Sequence, residues 1–352
     1  MRGSMMRDKD YRLEALRIIS MFMVITIHVA NYYCRNLPAT ESWSYLGATF
    51  FNALSRTSVP IFFMISGALM AGRKYDHEKN KDKVKHFVMV LIIWSAVYFY
   101  WKTIYMGENL SLFPTVIQSL FKPVSPHLWY MYPFIGLMIA MPFTSALVNN
   151  MDKNIEKLFL KMWMFFSGVV LIMRMGFDLF GFSTTINYNV PIVQGTYYLG
   201  YFIAGHILYK KINQDSMGRS NHLKFLGIYL SSITVMWLGT YYLSIRKQGY
   251  YDWIYTYRSI FVILATLSLF VIVAAIYKPD RKMTKKVLNN LSKASFGVYL
   301  VHIIPWEFLR TNLDVLSVNG FIGVPMFTGI VFVASYLIVS IIQKMPGLNK
   351  FI

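Results

Sequence analysis

Long apolar segments recur along this 352-residue chain and are separated by short polar connections. A segment of about 20 apolar residues crosses a bilayer as an α-helix, because the helix satisfies its own backbone polar groups. With 56% hydrophobic and 14% charged residues, the chain differs strongly from an ordinary soluble domain. We predict an all-α fold, a polytopic membrane bundle of about ten transmembrane helices, at 13–34, 45–71, 84–106, 127–148, 159–180, 191–210, 222–245, 256–277, 290–310 and 321–343.

The basic residues indicate the orientation of this bundle. On one side, the connections and termini carry 25 of the 35 Lys and Arg residues, in the segments 1–12, 73–86, 150–161, 210–224, 278–293 and 344–352. Cytoplasmic connections of membrane proteins are enriched in Lys and Arg. We therefore expect a multi-pass protein of the cell membrane with both termini in the cytoplasm.

The chain is predicted to form a single domain, 1–352, that begins with a cytoplasmic segment, 1–12. Within that segment, 1–4 precede two further methionines and are typical of a vector-derived leader. The net charge of +19 does not indicate nucleic-acid binding, because the basic residues alternate with apolar spans instead of gathering on one face. The only cysteine, Cys34, excludes an internal disulfide and a cysteine-based metal cluster, and we expect no metal site.

Two ionisable residues interrupt the first apolar span. Arg17 and His28 lie eleven positions apart, which places both on one helix face about 16 Å from each other. Polar groups inside a membrane helix are costly and face a partner or a water-filled cavity. This helix is therefore the first candidate for a functional site.

The second span contains an arginine, a proline and a pair of small residues. Arg56 and Gly67 again share a face, and Pro60 between them bends the helix and frees a backbone carbonyl. Arg56 requires an anionic or carbonyl partner inside the membrane. Ser66 and Gly67 allow close approach either by another helix or by a thin ligand.

Two further groups stand near the outer side of the predicted bundle. The fourth span opens with His127 and Trp129, and Trp129 is either an interfacial anchor or a platform for stacking a sugar. In the ninth span, one polar and aromatic face runs through Ser295, Tyr299, His302 and Trp306, and Glu307 lies off that face.

Together these motifs resemble the acyltransferase-3 family of bacterial membrane O-acyltransferases, in particular its single-domain members that acetylate a surface polysaccharide. The resemblance runs from the first span to the ninth and rests on the Arg17-to-His28 spacing, Val59-Pro60-Ile-Phe-Phe-Met-Ile-Ser66-Gly67, His127-Leu-Trp-Tyr and Phe296-Gly-Val-Tyr299-Leu-Val-His302.

The resemblance implies transfer of an acyl group from cytoplasmic acyl-coenzyme A, with acetyl-CoA as co-substrate and no tightly bound cofactor. The acceptor would be a hydroxyl of a surface polysaccharide or of its lipid-linked precursor. By the same resemblance, His28 is the catalytic histidine and Arg17 belongs to the donor site. Where many members begin the third span with paired arginines, this chain has Lys83, Lys85 and His86. The two lysines keep positive charge but lose bidentate phosphate binding.

The physical chemistry of the donor agrees with this assignment. The pantetheine arm of coenzyme A is about 15–20 Å long, close to the Arg17-to-His28 separation. If the phosphates stay among the basic cytoplasmic segments, the thioester can reach His28 while the nucleotide never enters the lipid. A neutral imidazole can then either take the proton of an attacking hydroxyl or accept the acyl group itself.

The remaining polar residues have several possible roles. Arg56 can stabilise an oxyanion or bind the acceptor, and His302 can orient His28 or share its proton. Arg258, at the outer mouth of the eighth span, is either an interface anchor or part of an acceptor site with His127, Trp129 and Glu307. In the fifth span, Arg174 and Asp178 are one helical turn apart and predict a mutual ion pair.

Two other classes of function use similar residues. A proton-coupled small-molecule transporter also places His, Arg and acidic residues near the bilayer midplane, but the sequence has no paired repeats or matching broken helices. In a non-catalytic component of polysaccharide export, the polar residues would join helices. We expect the lipid bilayer, an acyl-CoA donor and a glycan acceptor as partners, and no nucleic acid.

Overall fold

The computed structural model describes residues 10–39, 42–169, 172–173, 176–177, 191–214, 219–276 and 282–352. Every regular element in these ranges is helical. Fourteen α-helices are bounded within them: α1 (Tyr11–Asn36), α2 (Trp43–Ser55), α3 (Ser58–Met70), α4 (His77–Tyr100), α5 (Leu112–Ser119), α6 (Met131–Ile139), α7 (Met141–Asn149), α8 (Lys153–Met164), α9 (Pro191–Gln214), α10 (Arg219–Arg246), α11 (Ile260–Ile276), α12 (Lys282–Val301), α13 (Ile303–Asn312) and α14 (Gly320–Ile342).

Six of the described helical stretches are long and apolar enough to cross a membrane: Tyr11–Asn36, Trp43–Met70, His77–Tyr105, Asn221–Arg246, Trp253–Ala275 and Gly320–Ile342. A seventh span results if Pro126–Ile139 and Met141–Asn149, which meet at 62°, are taken together. The prediction of an all-α polytopic membrane bundle is confirmed. The total of ten spans stays a prediction, and Arg174 and Asp178 lie outside the described residues.

Helix α1 lies at the centre of the bundle. It packs against α2, α3, α11, α12 and α14, and most of its apolar side chains are buried. A helix that contacts so many neighbours presents its polar residues to the interior of the protein instead of to lipid. Arg17 and His28 therefore face protein or an internal cavity.

A cluster of polar side chains fixes the first turn of α1. Asp10 caps the helix, and the Arg12 guanidinium donates to Asp10 at 2.9 Å, to Asn213 at 2.8 Å and to the Ala274 carbonyl at 3.3 Å. Burial alone would raise the pKa of Asp10, but hydrogen bonds from Arg12 and from the Tyr209 hydroxyl outweigh it and lower the pKa. The carboxylate thus stays ionised and ties α1 to α9 through Tyr209, while Arg12 ties α1 to α11.

The start of α1 and the end of α14 lie at the same end of the bundle, which we call the terminal end. Arg17 donates to Ser292 at 3.0 Å, and Gln343 donates to the carbonyl of the adjacent Lys293 at 3.4 Å. The other end is called the far end. That the terminal end faces the cytoplasm stays a prediction from the basic residues.

The predicted second span is two helices with a break between them. Helix α2 ends at Ser55 and α3 begins at Ser58. Pro60 lies in the first turn of α3, where a missing N–H is tolerated, so the carbonyl of Arg56 receives no helical hydrogen bond from it. The break turns the Arg56 side chain toward α1.

The small residues of α3 mainly serve packing against α9. A Cβ atom at Gly67 would lie 1.7 Å from the carbonyl oxygen of Phe202, and one at Gly205 would lie 2.1 Å from that of Met64. The two backbones therefore approach closely at two positions.

We expect Gly67→Ala to lower the thermal stability of the detergent-solubilised protein, because the added methyl group meets backbone that cannot move aside. Overpacking of this kind costs about 1–3 kcal/mol. Gly136→Ala, at a site with open space around its Cβ position, is the matched control. Equal melting temperatures for the two variants would contradict this close approach.

Candidate active site

A cavity of about 590 Å³, which we call the large cavity, lies among α1, α3 and α13 toward the far end. Its wall combines the second half of α1 with polar and aromatic residues from five other segments. The lining residues are Val24, Ile27, His28, Asn31, Tyr32, Arg35, Asn36, Arg56, Val59, Pro126, His127, Trp129, Tyr130, Tyr257, Tyr299, Ile303, Trp306, Glu307 and Arg310.

Three histidines from distant parts of the sequence meet at this cavity. The ring centroid of His28 lies 5.1 Å from that of His302 and 6.4 Å from that of His127, and the last two are 5.2 Å apart. His28 is partly exposed to the cavity, while the other two are buried. Within the described residues, no group of three His, Cys, Asp or Glu is arranged to hold a metal ion.

The hydrogen bonds of His302 define its tautomer. Its Nδ1 lies 2.7 Å from the carbonyl oxygen of Tyr299, and a carbonyl can only accept, so Nδ1 carries the proton. In the neutral ring Nε2 is then an acceptor, and this buried atom has no partner among the described residues. Nε2 of His127 is also buried without a partner among the described residues, and its Nδ1 lies 3.0 Å from the Ser125 hydroxyl, which can either donate or accept.

Arg56 is held beside His28 by neutral oxygen atoms. Its Nε donates to Asn52 at 2.9 Å, and its Nη2 donates to Asn31 at 3.2 Å and to Tyr250 at 3.1 Å. The Tyr255 ring lies under the guanidinium, 4.7 Å away. In the described part of the chain, no carboxylate forms an ion pair with Arg56, so its charge is available to a ligand.

A second cavity, the small cavity, lies on the terminal side of the large one. It measures about 260 Å³, and Arg17, Ser66 and His86 contribute polar atoms to its wall. Four residues line both cavities: Val24, Val59, Tyr130 and Tyr299. The two cavities are thus separated by a single layer of side chains, with Arg17 on one side and His28 on the other.

Arg17 is fixed at the wall of the small cavity. Its Nη1 donates to Glu14 at 2.6 Å and to the Ser292 hydroxyl at 3.0 Å. One guanidinium nitrogen thus makes both contacts, and the other two form no hydrogen bond with the described residues. Glu14 and Ser292 position the side chain from α1 and α12.

Residues 10–343 match the sequence profile of one protein family, described as an acyltransferase domain. This match covers nearly the whole chain, including every helix of both cavities. The chain belongs to the acyltransferase-3 family. Neither the curated proteins nor the solved structures that were compared with it contain a match. The protein is therefore a membrane acyltransferase, and its two cavities are the candidate sites for donor and acceptor.

The residues expected at the acyltransferase donor site separate into three groups. Ser66 and His86 line the small cavity with Arg17. Gly67 points toward α9, because neighbouring helix residues differ in direction by about 100°. Lys83 lines a basic pocket beside the small cavity, and Lys85 is exposed and lines neither cavity.

That basic pocket measures about 550 Å³ and lies where α3 is followed by α4. Four cations contribute to it: Arg73, Lys74, Lys79 and Lys83. Asp76 pairs with Lys79 at 2.8 Å, which leaves three of the cations without a carboxylate partner among the described residues. The wall of this pocket therefore carries a net positive charge.

Most residues expected at the acceptor site line the large cavity. His127 does so, Trp129 stacks on Tyr257 with 5.7 Å between centroids, and Glu307 accepts from Trp101 Nε1 at 2.7 Å. Arg258 is different: its guanidinium lies 5.6 Å from the Tyr197 ring and does not line the cavity. Consecutive residues of a turn point in different directions, and here Tyr257 faces the cavity instead.

Sequence reasoning missed several residues of the acyltransferase site. Helix periodicity could have identified Asn31, because this residue follows His28 by three positions and so shares its helix face. Tyr250 and Arg310 had no such signal, since they come from segments about 200 or more positions away from α1. Their contribution follows from tertiary packing alone.

Proposed function

We propose that this acyltransferase moves a short acyl group, such as acetyl, from acyl-CoA to a hydroxyl of a cell-surface polysaccharide or its lipid-linked precursor. The donor enters from the terminal end, which we assign to the cytoplasm, and the acceptor enters from the far end. One observation carries the proposal: the two cavities approach from opposite ends and meet at a single layer of side chains beside His28.

The sizes of the two cavities fit the two substrates. The small cavity, about 260 Å³ and largely apolar, suits the thin pantetheine arm, and the neighbouring basic pocket suits the phosphates of the nucleotide. The large cavity, about 590 Å³ with aromatic and polar walls, suits a sugar. Along α1, Arg17 and His28 are about 16 Å apart, which the arm can span.

The chemistry assigned to His28 has two forms. In the first, its imidazole takes the proton of the acceptor hydroxyl while that oxygen attacks the thioester carbonyl. In the second, the imidazole attacks and carries the acyl group before the hydroxyl takes it. In both, the carbonyl oxygen becomes negative beside Arg56, the C–S bond breaks, and the thiolate of CoA receives the proton that the hydroxyl has lost.

Membrane vesicles of defined orientation test this function. Acyl-CoA does not cross membranes, so labelled acetyl-CoA or succinyl-CoA added to inverted vesicles reaches only the cytoplasmic face. With the wild-type protein we expect release of CoA and transfer of label to glycan, and no transfer in right-side-out vesicles. Absence of turnover with both donors, together with counterflow of a solute, would show a transporter instead.

A substitution in the layer of side chains between the two cavities tests, in the same assay, whether the acyl group passes through this layer. Val59→Trp adds bulk where the cavities meet, and we expect it to lower transfer at least about tenfold, since small misplacement of reacting groups costs up to about a hundredfold. Val88→Trp, on the exposed side of α4, is the control. Full activity of Val59→Trp with unchanged stability would place the donor on another route.

A further inference from the structure

The large cavity has more positive than negative charge. Among its described lining residues, Arg35, Arg56 and Arg310 are cations, and Glu307 is the sole carboxylate. A guanidinium remains charged at physiological pH, so this excess does not depend on the protonation of the histidines. The wall of the large cavity is therefore positively charged whatever the protonation state of its histidines.

Two of the three arginines have little or no compensation. Arg35 lies 3.8 Å from Asp252, but their side chains are 64% and 45% exposed, and such pairs contribute little. Arg56 is held only by neutral groups among the described residues. Both cations thus project their fields into the cavity.

Arg310 is only weakly paired. Its Nη2 lies 3.5 Å from Glu307, which is long for a charge-assisted hydrogen bond, and the other oxygen of Glu307 accepts from Trp101 at 2.7 Å. The Arg310 guanidinium lies 5.4 Å from the Tyr32 ring. Tyr32 follows His28 by one helical turn, a rise of about 6 Å along α1, so Arg310 contacts the turn of α1 next to that of His28, on the side of the far end.

We propose that the acceptor is an acidic glycan, whose carboxylate or phosphate binds Arg310 while the hydroxyl to be acylated lies at His28. This inference rests on the proposed function and names the substrate class of the large cavity. The planar guanidinium binds both kinds of acid group in the same bidentate way. A neutral sugar would leave the excess charge of a partly buried wall uncompensated.

The positions of Arg56 and Arg310 indicate different roles for the two residues. Arg56 contacts Asn31, on the turn of α1 that carries His28, so its charge acts at the reacting carbonyl. Arg310 lies beside Tyr32, the next residue along α1, whose side chain leaves the helix about 100° away from that of Asn31, so the two guanidinium groups reach the cavity from different directions. An acid group at Arg310 therefore orients the sugar without competing for Arg56.

Matched pairs of acceptors test the inference. The first pair is methyl glucuronide and methyl glucoside, and the second is N-acetylglucosamine 1-phosphate and N-acetylglucosamine. Each pair differs by one acid group, and the two pairs distinguish carboxylate from phosphate. Transfer from acetyl-CoA and calorimetric binding are measured for wild type, Arg310→Gln, Arg310→Lys and the control Arg246→Gln, whose side chain is exposed on α10.

We expect wild type and Arg246→Gln to prefer the acidic member of at least one pair about tenfold or more in kcat/KM. Arg310→Gln should bring the ratio of kcat/KM for the acidic member to kcat/KM for the neutral member close to one, and Arg310→Lys should restore part of the preference. Equal use of both members by wild type, or an unchanged preference in Arg310→Gln, would overturn the inference. If no CoA is released at all, the proposed function fails, and the binding measurement alone decides whether the cavity selects acids.

Discussion

Replacement of His28 by alanine is expected to lower kcat for acyl transfer by about a hundredfold to ten thousandfold, the range measured for loss of a general acid or base. His28 is the histidine exposed to the large cavity, and it lies next to the layer where donor and acceptor are proposed to meet. The ring centroids of His302 and His127 lie 5.1 Å and 6.4 Å from that of His28. His302 does not line the large cavity, and His127 lines it but is only 2% exposed, so His28 is the most accessible of the three imidazoles.

The matched control is His222→Ala, because His222 lies in the first turn of α10 and lines neither the two cavities nor the basic pocket. CoA release and acyl transfer are measured for each variant after the melting temperatures have been compared. The alanine variant enlarges the cavity beside the reaction centre, so added imidazole should restore part of the activity. Full activity of His28→Ala would leave the family assignment intact but remove His28 from catalysis.

The first helix illustrates what the sequence could predict. The span predicted at 13–34 corresponds to Tyr11–Asn36, because an apolar run bounded by a capping Asp10 and a terminal Arg35 determines its own limits. The shared direction of Arg17 and His28 follows from helix geometry alone. In contrast, the predicted second span is interrupted between Ser55 and Ser58, before Pro60, and helix periodicity alone does not show where within the span this break falls.

The candidate site could be predicted only in part. Motif spacing led to His28, His302 and His127, which the structure brings together. Spacing could not decide whether Ser66 or Gly67 faces a ligand, because their directions depend on where α9 packs. Nor could it find Tyr250, which joins Asn31 across 219 positions of sequence.

We expect Arg56→Ala to lower kcat by about a hundredfold to a thousandfold, as the loss of one donor to a developing oxyanion does. Arg56 donates to Asn31, which lies one turn after His28 on α1, and so stands beside the reaction centre. No carboxylate among the described residues forms an ion pair with Arg56, so its charge can stabilise the carbonyl oxygen when that atom becomes negative. The effect should appear mainly in kcat, since the ground-state thioester is neutral and gains less from the charge.

Arg56→Lys tests whether charge alone is sufficient. An ammonium keeps the charge but cannot bond Asn52, Asn31 and Tyr250 in the planar arrangement of the guanidinium, so we expect only partial activity. Arg258→Ala is the control, because that guanidinium stacks on Tyr197 away from the cavity. If Arg56→Ala instead raised KM for the acceptor and left kcat unchanged, Arg56 would bind the acceptor, and the oxyanion would require another donor.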